Sequence, residues 1–127
     1  MSVLKFPLLF KGSNGERVLY ALFDSGSHFS CINEEYAKDL GKPETLNNIH
    51  TVSTAAEGQF LLIKEIMKLD FFINDSSLSD DFLVVPGLSE QVIIGAATFQ
   101  RWKIKLDFDY DCVFVDSKIA SLQLKKE

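Results

Sequence analysis

Asp24 ends the apolar run Leu19-Tyr20-Ala21-Leu22-Phe23 and is followed by Ser25, Gly26 and Ser27. A carboxylate at the end of such a run loses hydration unless neighbours supply hydrogen bonds. The serine hydroxyls can lock the loop, and Gly26 permits close backbone approach. A loop of this kind holds a carboxylate in a rigid, partly dry place where its proton affinity can be tuned, which suits general acid–base chemistry. The same three residue types also make ordinary turns for purely local reasons. Other chemistries fit less well. Gly26-Ser27-His28-Phe29-Ser30 lacks the second glycine of a serine-nucleophile elbow. Cys31, Cys112, His28 and His50 are too scattered for metal-ligand spacing, so no metal is expected. The two cysteines read as reduced thiols, with a pairing between them as the alternative. His28 faces either a subsite or solvent, and no catalytic role is assigned to His50.

The stretch Ala21-Leu22-Phe23-Asp24-Ser25-Gly26-Ser27 resembles the active-site segment of the retroviral-type aspartic proteases, the retropepsins. There, apolar residues precede Asp-Thr-Gly or Asp-Ser-Gly. Those enzymes carry a second signature further along, an apolar strand ending in Gly and then a short helix. Val92-Ile93-Ile94-Gly95-Ala96-Ala97-Thr98-Phe99 is similar to it, with Ile94, Gly95 and Ala96 at its centre. Between the two signatures the family places a flap hairpin with a small, Gly-containing tip. Thr51-Val52-Ser53-Thr54-Ala55-Ala56-Glu57-Gly58 occupies that place. Ile104-Lys105-Leu106-Asp107-Phe108 also looks like a strand of the cellular and bacterial relatives, so the resemblance covers roughly Phe6–Val115. It departs from many viral members at Ala96, where they carry a basic residue, and at His28-Phe29, where they often carry acidic ones.

The resemblance implies a mostly β, retropepsin-like closed barrel or sandwich, with a flap hairpin and one or two short helices. It implies an aspartic endopeptidase with Asp24 catalytic, Ser25, Gly26 and Ser27 supporting the loop, residues 51–58 folding over an extended polypeptide, and no cofactor. That chemistry needs two carboxylates, and this chain has one Asp-Ser-Gly. Asp75-Ser76-Ser77 and Asp116-Ser117-Lys118 both lack the glycine. If the resemblance holds, two chains must each contribute Asp24, which makes a homodimer the expected state. Val3–Phe10 and Ile119–Leu124 are candidate interface strands. A non-catalytic peptide-binding or dimerisation module on the same fold is the alternative.

The elements that must position these residues follow from local pattern. Val3–Phe10 and Arg17–Phe23 read as a hairpin about the turn cluster Lys11–Gly15. The unbroken apolar run Leu19–Phe23 predicts burial on both faces. A short strand is expected around Phe29–Ile32. Asn33 reads as an N-cap for a short helix carrying Tyr36, Ala37 and Leu40, ended by Gly41 and Pro43. Thr45–Ser53 is expected to be extended, with a mobile hairpin tip at Thr54–Gly58. Gln59–Asn74 fits one long bent strand, with a helix over Leu61–Leu69 as the competing reading. Asn74–Asp80 reads as a turn. Asp81–Val85, Gln91–Ile94, Lys103–Phe108, Cys112–Val115 and Ile119–Leu124 read as strands, and Ala96–Trp102 as a short helix.

Composition bounds the rest. The chain has 127 residues, 46% hydrophobic and 24% charged, which suits a single globular domain over residues 1–127. Eleven Phe point to a sheet-rich interior. The balance of 18 acidic against 13 basic residues argues against a nucleic-acid partner and favours cationic over anionic substrate regions. No apolar run approaches the length that spans a bilayer, so no membrane partner is expected. No signal peptide is read at the N-terminus, which points to the cytoplasm, with the chain as part of a longer protein the alternative.

Overall fold

The computed structural model describes residues 3–53 and 60–115. In chain order the elements are β1 (Leu4–Lys11), β2 (Glu16–Phe23), β3 (Cys31–Asn33), α1 (Glu34–Leu40), β4 (Glu44–Ser53), β5 (Phe60–Ile73) and β6 (Ser76–Val85). They continue with β7 (Val92–Ile94), α2 (Ala96–Trp102), β8 (Ile104–Asp107) and β9 (Cys112–Val115). Six strands pair in the order β1-β2-β7-β3-β6-β5, and β5 returns to β1 through Phe10↔Phe71 and Lys11↔Asp70. The sheet is therefore a closed, mixed barrel. β4 lies outside the closure and pairs with β5, and β8–β9 is a separate hairpin.

Closure follows from side-chain alternation. Inward positions carry the aromatics: Phe10, Phe71 and Phe82 are fully buried, with ring centroids 5.8–5.9 Å apart. Burying each ring contributes roughly 2–3 kcal/mol by transfer from water, and the edge-to-face contacts of Phe82 with the stacked pair Phe10 and Phe71 add a smaller share. A second, smaller apolar cluster joins Cys31, Ile63, Leu83 and Val85 to Leu46, Ile66 and Leu88.

The long bent strand is found as β5, and no helix forms over Leu61–Leu69. Asn33 caps α1 by accepting from the Glu35 N–H, and the Gly41 N–H closes it on the Ala37 carbonyl. Four expectations are corrected. The turn at Asn74–Asp80 is only Asn74-Asp75: Ile73 faces Ser76, Asn74 takes φ 54°, and β6 starts at Ser76. Ser77 and Ser79 are polar because they alternate with buried Leu78. Leu19–Phe23 is not buried on both faces, since Tyr20 is 54% exposed. A barrel strand has one face inside, and nothing layers over the outer face at Tyr20 in the described chain. β3 lies slightly later than Phe29–Ile32, because Phe29 and Ser30 belong to the loop after Asp24. The strand expected at Gln91–Ile94 starts at Val92, the Gln91 side chain accepting from the Tyr20 N–H. The expected strand Ile119–Leu124 lies outside the described residues.

Candidate active site

β2 carries Asp24 out of the core at its C-terminal end. Phe23, fully buried, packs its ring against Phe6 and Phe99, both with centroids 6.1 Å away, which fixes the residue just before the acid. β2 runs parallel to β7, with Ala21↔Val92, Leu22↔Ile93 and Phe23↔Ile94 in register. The ladder continues into the loop, where the Asp24 N–H donates to the Ile94 carbonyl at 3.0 Å. Strand pairing thus sets the position of the acid's backbone.

The loop is closed by its own atoms. Asp24 Oδ1 accepts from the Gly26 N–H at 2.9 Å, and the Asp24 carbonyl accepts from the Ser27 N–H at 3.1 Å. Ser27 Oγ donates to the Phe29 carbonyl at 2.9 Å. The carboxylate is half-buried, and Ser25 and Gly26 are exposed.

α2 then seizes the far side of the loop. The Ala96 N–H donates to the Ser27 carbonyl at 2.7 Å, and the Ala97 N–H to the His28 carbonyl at 3.1 Å. The first helical N–H groups lack partners within a helix, and here the loop supplies them. Gly95 offers no side-chain cap, and none is needed. It is glycine for want of room: a Cβ there would stand 2.5 Å from the Phe29 carbonyl oxygen and 2.8 Å from that of Ser27. Beneath them lies a buried hydroxyl pair, Ser30 Oγ and Thr98 Oγ1, 2.6 Å apart, with Ser30 Oγ also accepting from the Gly95 N–H at 2.9 Å.

The structure therefore brings Asp24, Ser25, Gly26 and Ser27 together with Ile94, Gly95 and Ala96. His28 turns its ring to solvent against Phe29, centroids 4.5 Å apart, while its backbone is held by α2. Of the flap residues, Thr51, Val52 and Ser53 lie in β4, facing Leu62, Leu61 and Phe60 of β5. Thr54, Ala55, Ala56, Glu57 and Gly58 lie outside the described residues. Sequence reasoning weighs Ser30 only as a nucleophile and sets it aside, and nothing in the sequence links it to Thr98. Cys31 and Cys112 are both free thiols, one buried and one exposed. Among the described residues no group of His, Cys, Asp and Glu is placed to hold a metal ion, and no helix is long and apolar enough to cross a membrane.

No family model matches the sequence, and no curated protein matches it. Among solved structures, the retroviral protease-like domain of Ddi1 from Leishmania major superposes with a TM-score of 0.71 at 18% identity, covering 91% of this chain and 90% of that one. The chain has the retropepsin-like fold. A foamy viral protease-reverse transcriptase also matches, at 19% identity and a TM-score of 0.49, over 81% of this chain and 13% of that chain. In the retropepsin-like frame, the pairing of β2 with β7 and the clamp of α2 on residues 27–28 are the features that hold the Asp24 loop.

Proposed function

We propose that the protein is an aspartic endopeptidase that acts as a homodimer, each protomer contributing one Asp24. The observation that carries this reading is half-buried Asp24 on a retropepsin-like scaffold, its carboxylate accepting from the Gly26 N–H and its backbone N–H donating to the Ile94 carbonyl. One such loop per chain leaves each protomer with half of the acid–base machinery. A two-fold axis through the loops would complete it. Exposed Ser25 is the candidate for hydrogen bonds across that axis.

Two carboxylates at close quarters cannot both ionise cheaply, so the pair shares one proton. The ionised member takes a proton from a water held between them, and that water attacks the peptide carbonyl carbon. The protonated member donates to the carbonyl oxygen as the tetrahedral intermediate forms. On collapse, the C–N bond breaks, the leaving nitrogen takes the proton that the first carboxylate received from the water, and a hydroxyl of the intermediate returns its proton to the other carboxylate. The states belong to the dyad and not to either residue. The β4–β5 hairpin would serve as the flap, closing over a peptide bound as an added strand. The apolar cluster of Cys31, Leu83, Leu46 and Ile66 supports an apolar contact for one of its side chains.

The test is cleavage of a mixed peptide library by the wild type and by Asp24→Asn, with sedimentation at matched concentrations. Cleavage by the wild-type dimer, loss on dilution and loss in the variant are expected. Cleavage that survives in Asp24→Asn, or a fully active monomer, would overturn the reading. Peptide binding without cleavage in both proteins would mark a non-catalytic binding module.

A further inference from the structure

Next to the end of the Asp24 loop lies a cavity of about 230 Å³ walled by Phe29, Leu46, Ile66 and Leu83. A second, of about 310 Å³, adjoins it and is walled by Glu44, Lys68, Asp80, Asp81 and Arg101. Ile66, Asp80 and Asp81 line both. On β4, Leu46 lines the first cavity and Glu44 the second; on β5, Ile66 lines both and Lys68 the second alone; on β6, Leu83 lines the first alone and Asp81 both. Residues two apart share a face of a strand and stand roughly 6.5–7 Å apart. An extended peptide advances by the same step between side chains on one face.

The ionic cavity is not neutral. Asp80 Oδ1 accepts from Arg101 Nη1 at 3.5 Å, and Lys68 faces Asp81 in the β5–β6 register. Glu44 adds a third carboxylate to these two cations. Lys68, Asp81, Glu44 and Arg101 are exposed, so their side chains can rearrange around a guest, whereas Asp80 is only 14% exposed and stays fixed. The chain as a whole carries a net charge of −5, which adds to the attraction for a cation.

We propose that the protein selects peptides in which a basic side chain lies two residues from an apolar one, the apolar group entering the inner cavity and the basic group meeting Glu44 and Asp81 in the outer one. The inference rests on the cleft being a peptide-binding site and does not require turnover. Fluorescein-labelled octapeptides with one Leu anchor and Lys, Ala or Glu two residues to either side of it test the idea by anisotropy against the Asp24→Asn protein. Lys peptides should bind about tenfold more tightly than Glu peptides, the effect of two partly screened charge contacts. The preference should shrink to under about twofold in Glu44→Gln/Asp81→Asn and reverse in Glu44→Lys/Asp81→Lys, where only exposed side chains change. Equal binding of all peptides, a preference for Glu, a Lys preference that survives both charge variants, or no binding at all would overturn it. A Lys preference in a protein whose wild type cleaves nothing would refute the endopeptidase reading and leave this one standing.

Discussion

The carbonyl oxygen of Phe29 occupies the space in which any side chain on Gly95 would begin: a Cβ at position 95 would stand 2.5 Å from it. The obstacle is backbone, held in turn by the Ser27 hydroxyl, so it cannot swing aside as a flexible side chain would. Gly95→Ala should therefore push α2 off the loop and cost about 3 kcal/mol, a large value for one methyl group. Urea denaturation measures the loss. A variant as stable as wild type would show that the loop and helix are not in contact as described.

The buried hydroxyl pair makes a second, graded prediction. Ser30→Ala removes the acceptor of the Gly95 N–H and the partner of Thr98 Oγ1 at once. Leaving buried polar groups without partners costs about 1–3 kcal/mol. Thr98→Val keeps the shape and leaves Ser30 still accepting from Gly95, so its cost should be the smaller of the two. Urea midpoints for both variants check the order, and the reverse order would contradict this network.

Asp24→Asn should separate chemistry from architecture. The amide oxygen can still accept from the Gly26 N–H, so stability should stay within about 0.5 kcal/mol of wild type. Turnover should fall by about a thousandfold or more, since the amide can neither take nor give the shared proton. For the wild type, a carboxylate dyad predicts a bell-shaped pH–rate profile with its optimum on the acidic side of neutrality. A rate still rising above about pH 9 would exclude two carboxyl groups as the reacting acids.

Burial pushes the Cys31 thiol up from 9.0 to about 11, by desolvation of its thiolate. The unfolded chain loses this proton first, so between about pH 9 and 11 the unfolded state binds fewer protons and stability falls as pH rises. The integrated loss is about 2–3 kcal/mol, and a Cys31→Ala protein should lack this contribution to the slope. A thiol reagent at neutral pH should modify Cys112, which is exposed, and reach Cys31 only on unfolding. Rapid reaction of both thiols in the native protein would contradict the placement of Cys31.

Much of this architecture was readable one segment at a time. Asn33 with Glu34 and Glu35, then Gly41, marks α1 because capping is a local matter. The Asp24 loop and the Gly95 segment were found through their resemblance to known signatures, and the structure shows why the two must meet. Hidden features were those decided by distant partners. Tyr20 looked like core because its neighbours are apolar, but the sheet curls so that its side chain points outward. Ser76–Asp80 looked like a turn because serines and aspartates are turn residues, whereas pairing with β5 makes it a strand with one wet face. Ser30 and Thr98 are 68 positions apart, and no property of either predicts the other.

The parallel pairing of β2 with β7 has a consequence for the order of events during synthesis. The Tyr20 N–H and its acceptor on Gln91 are 71 positions apart, and the Asp24 N–H waits for Ile94 in the same way. Contacts this far apart in sequence form late, after the local hairpins have collapsed. In pulsed hydrogen exchange during refolding, the Asp24 amide should gain protection no earlier than those of β7, and earlier protection would contradict this order. A nascent chain on the ribosome has made its acid long before it has made the mould that shapes it. Until residues 92–97 emerge, the Asp24 loop has neither its ladder nor its helix clamp, so a truncated or half-made product carries Asp24 without the geometry that holds it.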